Sequence, residues 1–357
     1  MHLTLPPATA ARLGPEGTAR ALAVRKQLAE AGIALPAWID ERPGRLQLVV
    51  GDLADDPPLS RSAEVLATEH GPWVLAGLLA LQTAAAAPRA AFYVPDGAAL
   101  GTLSRLVSGM AVEVHRALPS WPSQPERDIP GAFGRAWVAS PAVLDRAAAA
   151  LSGEPPRRVC TVAGGVRRPQ AMCTAPGETV RDLVRRAGGA LVADWVALCG
   201  GAPGGTLCAR DEPPPAGTAL VLVLSAAHPL VRQARRPLSE GLARARTACL
   251  GCRQCSDVCP EAARGTSLRP HHLVAQLAQG RADPALAEAL LCTGCGACDL
   301  VCPAAVGPAG ILRHLSARLA SAGASPPRQP LRDHPARPAV RLPRDRLLQQ
   351  LGLSQYR

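Results

Sequence analysis

Two copies of one cysteine pattern are the residues of this chain most suited to chemistry. Both copies read C-x2-C-x2-C-x3-C-P, and they occupy residues 249–260 and 292–303. This is the spacing of cysteines that bind [4Fe–4S] clusters, because three closely spaced thiolates reach three irons of one cube. The sequence therefore predicts two [4Fe–4S] clusters.

The fourth cysteine of each run is expected to ligate the cluster of the other run, as it does in proteins that carry two such runs. Pro260 and Pro303 follow these cysteines and turn the chain away. Glycines at 251, 294 and 296 let the backbone come close to a cluster. The predicted ligands are Cys249, Cys252, Cys255 and Cys302 for cluster 1, and Cys292, Cys295, Cys298 and Cys259 for cluster 2.

Other uses of these cysteines fit less well. Zinc sites are built from C-x2-C pairs rather than from triplets followed by C-P. A disulfide framework is typical of small secreted domains, and this chain has 357 residues. Four further cysteines fit no metal motif, and we expect them to be small buried hydrophobic residues. These are Cys160, Cys173, Cys199 and Cys208.

Composition bears on possible partners. The net charge is +11, and Lys26 is the only lysine among the basic residues. Basic residues are not interleaved with aromatic residues, so the pattern does not predict nucleic-acid binding. The positive excess is instead suited to attracting an acidic redox protein.

The beginning of the chain lacks the basic and apolar segments of a signal peptide, which favours a cytoplasmic location. The most apolar stretch, 71–87, is short and contains Gln82 and Thr83. We expect it to be a buried helix and not a transmembrane segment.

The remaining pattern indicates a multidomain α/β protein. Residues 1–45 are expected to be mostly irregular, with one helix over 19–31. Alternating strands and helices then predict an open, mostly parallel α/β sheet. Residues 159–188 read as a strand hairpin and a capped helix, with Thr179 and Asp182 forming a capping box. The predicted domains are 1–155, 156–232, a mainly helical cluster domain at 236–322, and an extended Pro- and Arg-rich tail at 323–357.

Several blocks resemble the PduS/RnfC family of cobalamin reductases and Rnf electron-transport subunits. They include 159–188, which resembles an SLBB β-grasp domain, both cysteine runs, and the C-terminal block 341–356. The resemblance implies an N-terminal domain like the flavoprotein subunit of complex I, a β-grasp SLBB domain and a two-[4Fe–4S] ferredoxin-type domain. It also implies a place in a larger complex, either at a membrane or in a bacterial microcompartment.

The family binds FMN and NADH with a glycine-rich loop that ends in lysine. The corresponding residues here are 31–39, in which Gly32 and Pro36 remain and the other glycines and the lysine are absent. A second family motif is reduced to 50–57, where Gly51 remains beside the acidic turn Asp55-Asp56. Since backbone N–H groups and a lysine are what hold a phosphate, these losses predict that FMN is not bound.

Three functions remain open on these residues. The first is an electron carrier or reductase subunit that exchanges single electrons with a flavodoxin, ferredoxin, flavoprotein or cobalamin enzyme. The second is a complete FMN- and NADH-dependent reductase, and the third is an SLBB ligand sensor or scaffold with structural clusters. The lost glycines favour the first. His271-His272 is expected near a cluster without ligating it, and 200–205 is either a ligand-approaching loop or a plain turn.

Overall fold

The computed structural model describes residues 5–54, 57–281, 283–327 and 340–356. The predicted acidic turn at Asp55-Asp56 and much of the Pro- and Arg-rich tail lie outside these residues. The described residues form a parallel sheet with helices, a mixed sheet, and a mostly helical region that carries the cysteine runs. The predicted multidomain α/β class is confirmed at this level.

The first unit is built on a four-stranded parallel sheet in the order β3-β2-β1-β5. Strands β1 and β2 are buried along almost their whole length, as apolar parallel strands between helices should be. The predicted alternation is present, although sequence analysis missed β5. The elements are α1 (Pro7–Glu30), α2 (Trp38–Glu41), β1 (Leu48–Asp52), α3 (Ser62–Glu69), α4 (Gly71–Ala85), β2 (Arg89–Val94), α5 (Ala98–Leu106), β3 (Val112–Arg116), β4 (Ser120–Trp121), α6 (Pro125–Asp128), β5 (Ala136–Ala139) and α7 (Pro141–Ser152).

Helix α1 corrects the expectation that most of residues 1–45 are irregular. It begins at Pro7, twelve residues before the predicted helix, and it continues across a kink at Gly14. Gly14 has a left-handed φ of 70°, and Pro15 follows it. This break interrupts the helical pattern in the sequence, since glycine and proline usually mark helix ends. In the C-terminal half of α1, Leu28 is fully buried and packs in the core.

Helix α4 contains the apolar stretch that was the transmembrane candidate. Its Leu78 and Leu81 are fully buried in the core of the first unit, so the prediction of a buried helix is confirmed. Over the residues that the structure describes, no helix has the length and apolarity needed to cross a membrane.

The contact between α4 and α7 depends on Gly77. A Cβ at this position would lie 2.1 Å from the backbone oxygen of Leu144 on α7. We expect Gly77→Ala to push the helices apart and lower the free energy of unfolding by about 1–3 kcal/mol. Chemical denaturation measures this loss. Gly101→Ala on α5 is the matched control, since its Cβ would meet only the end of the Arg105 side chain at 3.6 Å. Equal stability of the two variants would contradict the prediction.

The second unit is a five-stranded mixed sheet in the order β7-β6-β10-β8-β9. The predicted hairpin is β6 and β7, and the helix after it is closed by the predicted capping box of Thr179 and Asp182. Sequence analysis did not identify β8 or β9. The elements are β6 (Val159–Gly164), β7 (Gln170–Cys173), α8 (Val180–Arg186), β8 (Trp195–Cys199), β9 (Thr206–Cys208) and β10 (Leu220–Ser225).

The region that carries the cysteine runs is mostly helical, as the pattern predicts. Its segment Pro284–Leu291 is a 3-10 helix. The α-helices are α9 (Pro229–Ala234), α10 (Leu238–Thr247), α11 (Gln254–Asp257), α12 (Pro260–Arg264), α13 (Pro270–Ala278), α14 (Ala297–Leu300) and α15 (Pro308–Ser321).

The end of the tail returns to the rest of the protein. Strand β11 (Leu342–Pro343) pairs with β4, and helix α16 (Arg344–Gln350) and the residues after it bury Leu347 and Leu353 completely. Arg341 forms an ion pair with Asp128 at 2.6 Å. The end of the predicted tail is therefore a helix packed against the core, because its leucines have an apolar surface to cover.

Candidate iron–sulfur centre

The two cysteine runs adopt the same local backbone. Gly251 and Gly294, at equivalent positions, have φ values of 63° and 72°. Arg253 and Gly296, the next equivalent pair, have φ values of 65° and 80°. Each run then enters a four-residue helix, α11 or α14. The left-handed positions curl the chain within each triplet, and the helix carries it away.

The first cysteine group contains Cys249, Cys252, Cys255 and Cys302. The pKa of the Cys255 thiol is raised to about 12, first by burial and then by the sulfurs of Cys302, Cys252 and Cys249. The structure therefore brings the first triplet together with the last cysteine of the other run.

The second cysteine group contains Cys292, Cys295, Cys298 and Cys259. The pKa of Cys298 is raised well above its ordinary value, first by burial and then by Asp299, Cys295, Cys259 and Cys292. Burial also raises the pKa of Cys259 to about 12, with Cys295 adding to the effect. The second triplet thus lies beside the last cysteine of the first run.

Each group has the donor set of a four-iron cluster. Four cysteine sulfurs are the donor set of a [4Fe–4S] cube, in which each thiolate binds a different iron. In the described ranges, no three or more His, Cys, Asp or Glu side chains form a set that could hold one metal ion. Burial raises the pKa values of Cys255, Cys259 and Cys298, so binding of iron to these three thiols must release protons.

The two groups differ in their access to solvent. Cys249 and Cys252 of the first group are exposed, and Leu250 between them is 73% exposed. In the second group, Cys259 and Cys298 are buried. The first group therefore lies nearer the surface.

A loop from the second unit covers the second run. A Cβ on Gly204 would lie 2.1 Å from the oxygen of Gly294, and a Cβ on Gly296 would lie 2.6 Å from the nitrogen of Gly204. Backbone therefore packs directly on backbone, which only glycine permits. The predicted alternatives for 200–205 were a ligand loop or a plain turn, and its partner is instead this cysteine run.

A carboxylate lies against the second group. Asp299 accepts hydrogen bonds from the backbone N–H of Ala309 and from the side chain of Gln233. Burial raises the pKa of this carboxyl, although these hydrogen bonds and the nearby Arg313 favour its charged form. Arg313 also donates to the oxygen of Gly204, so it ties the covering loop to α15.

Five arginines that lie in or flank the first run in sequence have different environments. Arg246 and Arg253 are exposed, and Arg244 pairs with Glu240. Arg264 is half-buried and pairs with both Glu126 and Glu261. Arg269 is partly buried and donates to the oxygens of Thr266 and Leu268. Arg246 and Arg253 are thus the two best placed to meet a partner.

Three residues remain from the family's flavin motifs, and each of them lies against other residues of the protein. A Cβ on Gly51, inside β1, would lie 3.0 Å from the side chains of Leu144 and Phe92. Arg146 lies 3.2 Å from a Cβ built on Gly32 and donates to the oxygen of Ala31. Pro36 lines a cavity of about 350 Å³ with residues of both the first unit and α12.

Two of the remaining cysteines are paired. The sulfurs of Cys199 and Cys208 form a disulfide, so the expectation of isolated hydrophobic cysteines is wrong for this pair. Pairing of β8 with β9 brings the Cα atoms of Cys199 and Cys208 to 6.1 Å from each other, which is within the range that a disulfide spans. Cys160 is buried, as expected, whereas Cys173 is exposed, so the expectation of a buried residue is wrong for Cys173. His271 Nδ1 and the hydroxyl oxygen of Ser256, the residue after Cys255, form a hydrogen bond at 2.7 Å.

Comparisons with known proteins agree with this site. Residues 248–307 match the family described as 4Fe-4S dicluster domain. Over 119 residues, the chain is 39% identical to cobalamin reductase PduS of Salmonella typhimurium and 37% identical to PduS of Citrobacter freundii. These matches cover 33% of this chain and 26% of each relative. The predicted resemblance to PduS is confirmed, and the matched part spans about a quarter of those relatives.

The fold also resembles a solved structure. An NAD+-reducing [NiFe]-hydrogenase in the H2-reduced state matches with a TM-score of 0.50 and 18% identity, covering 90% of this chain and 66% of that one. At this identity the likeness concerns the fold alone. It supports the multidomain α/β class.

Proposed function

We propose that this chain is an iron–sulfur electron carrier related to PduS, which relays single electrons through two [4Fe–4S] clusters between a donor and an acceptor protein. The observation that carries the proposal is the assembly of eight cysteines into two groups of four. Each group takes three sulfurs from one run and one from the other. When bound, a [4Fe–4S] cluster accepts and releases one electron.

The chain's own residues would hold and shield the clusters. The first cysteine group would ligate cluster 1 and the second would ligate cluster 2. The covering loop would help to keep water from the second group, since Gly204 packs on the backbone of the second run and Cys298 is buried. A site with less water disfavours added charge. Burial would therefore give cluster 2 a different reduction potential from cluster 1.

The surrounding domains follow the same relationship. We infer that residues 1–155 are a flavoprotein-like domain, 156–232 an SLBB β-grasp domain and 236–322 a ferredoxin-type domain. The parallel sheet, the mixed sheet with its capped helix and the paired cysteine runs support these three assignments. The tail 323–357 would fasten the domains, since Arg341 pairs with Asp128 in 1–155 and Gly352 lies beside His228 in 156–232.

Electrons would enter or leave at the exposed first group. Leu250 offers an apolar contact there, and Arg246 and Arg253 provide positive charge. An acidic flavodoxin, ferredoxin, flavoprotein subunit or cobalamin enzyme fits this surface. Interfaces between electron-transfer proteins are small, so a patch of this kind is sufficient.

A complete NADH-dependent reductase is the second candidate. Its support is the partial match to cobalamin reductase PduS and the cavity beside Pro36. Against it, residues 31–39 lack the glycines and lysine of the family's phosphate site, and Gly51 packs into the core.

Cofactor analysis of anaerobically purified protein separates these functions. We expect about eight irons per chain, as two cubes require. We also expect no stoichiometric FMN and no NADH-dependent reduction of an artificial acceptor, because the phosphate-binding residues are missing. Iron assay, flavin fluorescence after denaturation and an NADH oxidation assay measure the three quantities. Bound flavin with NADH activity would establish the reductase, and protein without iron would refute the electron carrier.

A further inference from the structure

The disulfide between Cys199 and Cys208 closes the loop that covers the second cysteine run. Cys199 ends β8 and Cys208 ends β9, a three-residue strand at the edge of the sheet. The covering loop, residues 200–207, is therefore tied at both ends. Because β9 has only one neighbouring strand, the disulfide adds a covalent restraint on its position to the pairing with β8.

The covering loop touches the second run through its backbone. Gly204 lies against Gly294, Cys295 and Gly296, and its oxygen accepts a hydrogen bond from Arg313. These contacts leave no room for even a methyl group. A small movement of the loop must consequently change the cover over the second cysteine group.

The disulfide is open to attack from one side. Cys199 is buried, whereas Cys208 is only partly buried and its neighbours Thr206 and Leu207 are exposed. A thiolate can therefore approach the sulfur of Cys208, and access is one of the factors that decides which sulfur is attacked. In reducing compartments, disulfides are usually transient and redox-sensing.

We propose that Cys199 and Cys208 form a thiol–disulfide exchange site that controls how firmly the covering loop shields the second cysteine group. The effect on a cluster rests on the proposed function, whereas the exchange chemistry stands without it. The reactant is a small thiol of the glutathione class.

The exchange takes two steps. A thiolate attacks the sulfur of Cys208, the disulfide breaks, and Cys199 leaves as a thiolate that takes up a proton. A second thiolate then attacks the mixed disulfide on its small-thiol sulfur, releasing Cys208 as a thiolate that is protonated and a small-molecule disulfide. The protein pair gains two electrons and two protons, and two thiols are oxidised to one disulfide.

Reduction should make the second cluster easier to dismantle. A disulfide across a short loop restricts the open states of that loop, so its loss increases their population by about tenfold or more. We expect the slower phase of iron release to a chelator to accelerate by about the same factor. The faster phase, from the exposed first group, should not change.

The test uses the full chain, purified anaerobically with its clusters. Samples are equilibrated in buffers of reduced and oxidised glutathione, and one part is alkylated and analysed by peptide mass for Cys199 and Cys208. The other part is mixed with an iron chelator, and release is followed by absorbance. In the double variant Cys199→Ala/Cys208→Ala, the slower phase of iron release should be accelerated in both buffers, as it is in the reduced unaltered protein. Cys173→Ser, at an exposed cysteine outside the loop, should behave like the unaltered protein.

The outcomes are separable. Thiols at both positions in oxidised buffer, or equal iron release from the unaltered protein in both buffers, would overturn the exchange proposal. The comparison of one protein in two buffers does not depend on the variants folding. Protein without iron would refute the proposed function, and alkylation would still decide whether the pair exchanges.

Discussion

Cys259→Ser should remove the cluster of the second triplet and leave the cluster of the first triplet in place. Cys259 lies in the first run but is surrounded by the second group, where it neighbours Cys295 and Cys298. Its loss leaves a buried site with three sulfurs. We expect iron to fall from about eight to about four atoms per chain, as removal of one cube requires.

Reduced protein examined by electron paramagnetic resonance identifies the lost cluster. The signal lost in Cys259→Ser should be the one lost in Cys295→Ser, whereas Cys302→Ser should lose the signal that disappears in Cys255→Ser. Cys160→Ala is the matched control, since it alters another buried cysteine without touching either group. If Cys259→Ser removes the same signal as Cys255→Ser, each run binds its own four ligands and the crossed assignment is wrong.

The cysteine runs were the most predictable part of the chain. Their spacing is local, and the curl of the backbone follows from residues within each run. The motif also predicts the crossed ligation, and the assignment of each cysteine to a cluster stays a prediction. The helical pattern of α4 and the capping box at Thr179 are likewise local signals, and the structure contains both.

Features that depend on distant contacts were not predictable. The sequence does not indicate that β8 pairs with β9, so the bond between Cys199 and Cys208 was missed. The sequence also did not indicate that the two cysteine groups differ in their access to solvent. At equivalent left-handed positions the exposed run has Arg253 and the covered run has Gly296, and the reason lies in Gly204, about ninety residues away. Similarly, only the structure shows that Arg264 is occupied by two carboxylates.

Charge reversal at Arg253 should slow electron exchange with an acidic partner while leaving both clusters assembled. Arg253 is exposed beside Cys252, and its charge adds to that of Arg246. Electrostatic steering raises association rates by roughly 10- to 1,000-fold in total. We therefore expect Arg253→Glu to lower the second-order rate constant by up to about tenfold at low salt. The rate constant of Arg253→Gln should lie between those of the unaltered protein and Arg253→Glu.

Salt should have a parallel effect on the unaltered protein. Charges on the surface are screened over roughly 10 Å at 0.1 M salt. The rate of reduction by a reduced acidic flavodoxin or ferredoxin, followed by stopped-flow absorbance, should fall as ionic strength rises. The Arg253→Glu variant should show a weaker dependence on salt, because it has less attraction to lose.

The control must separate local charge from net charge and from backbone strain. Arg105→Glu changes the net charge by the same amount at an exposed position on α5, and it should keep most of the rate. Glutamate and glutamine suit the left-handed φ of 65° at position 253 no better than arginine does, so the backbone cost is matched. A rate that is insensitive to salt and to Arg253→Glu would place the docking surface away from the first cysteine group. Equal slowing by Arg105→Glu and Arg253→Glu would mean that net charge, and not this patch, attracts the partner.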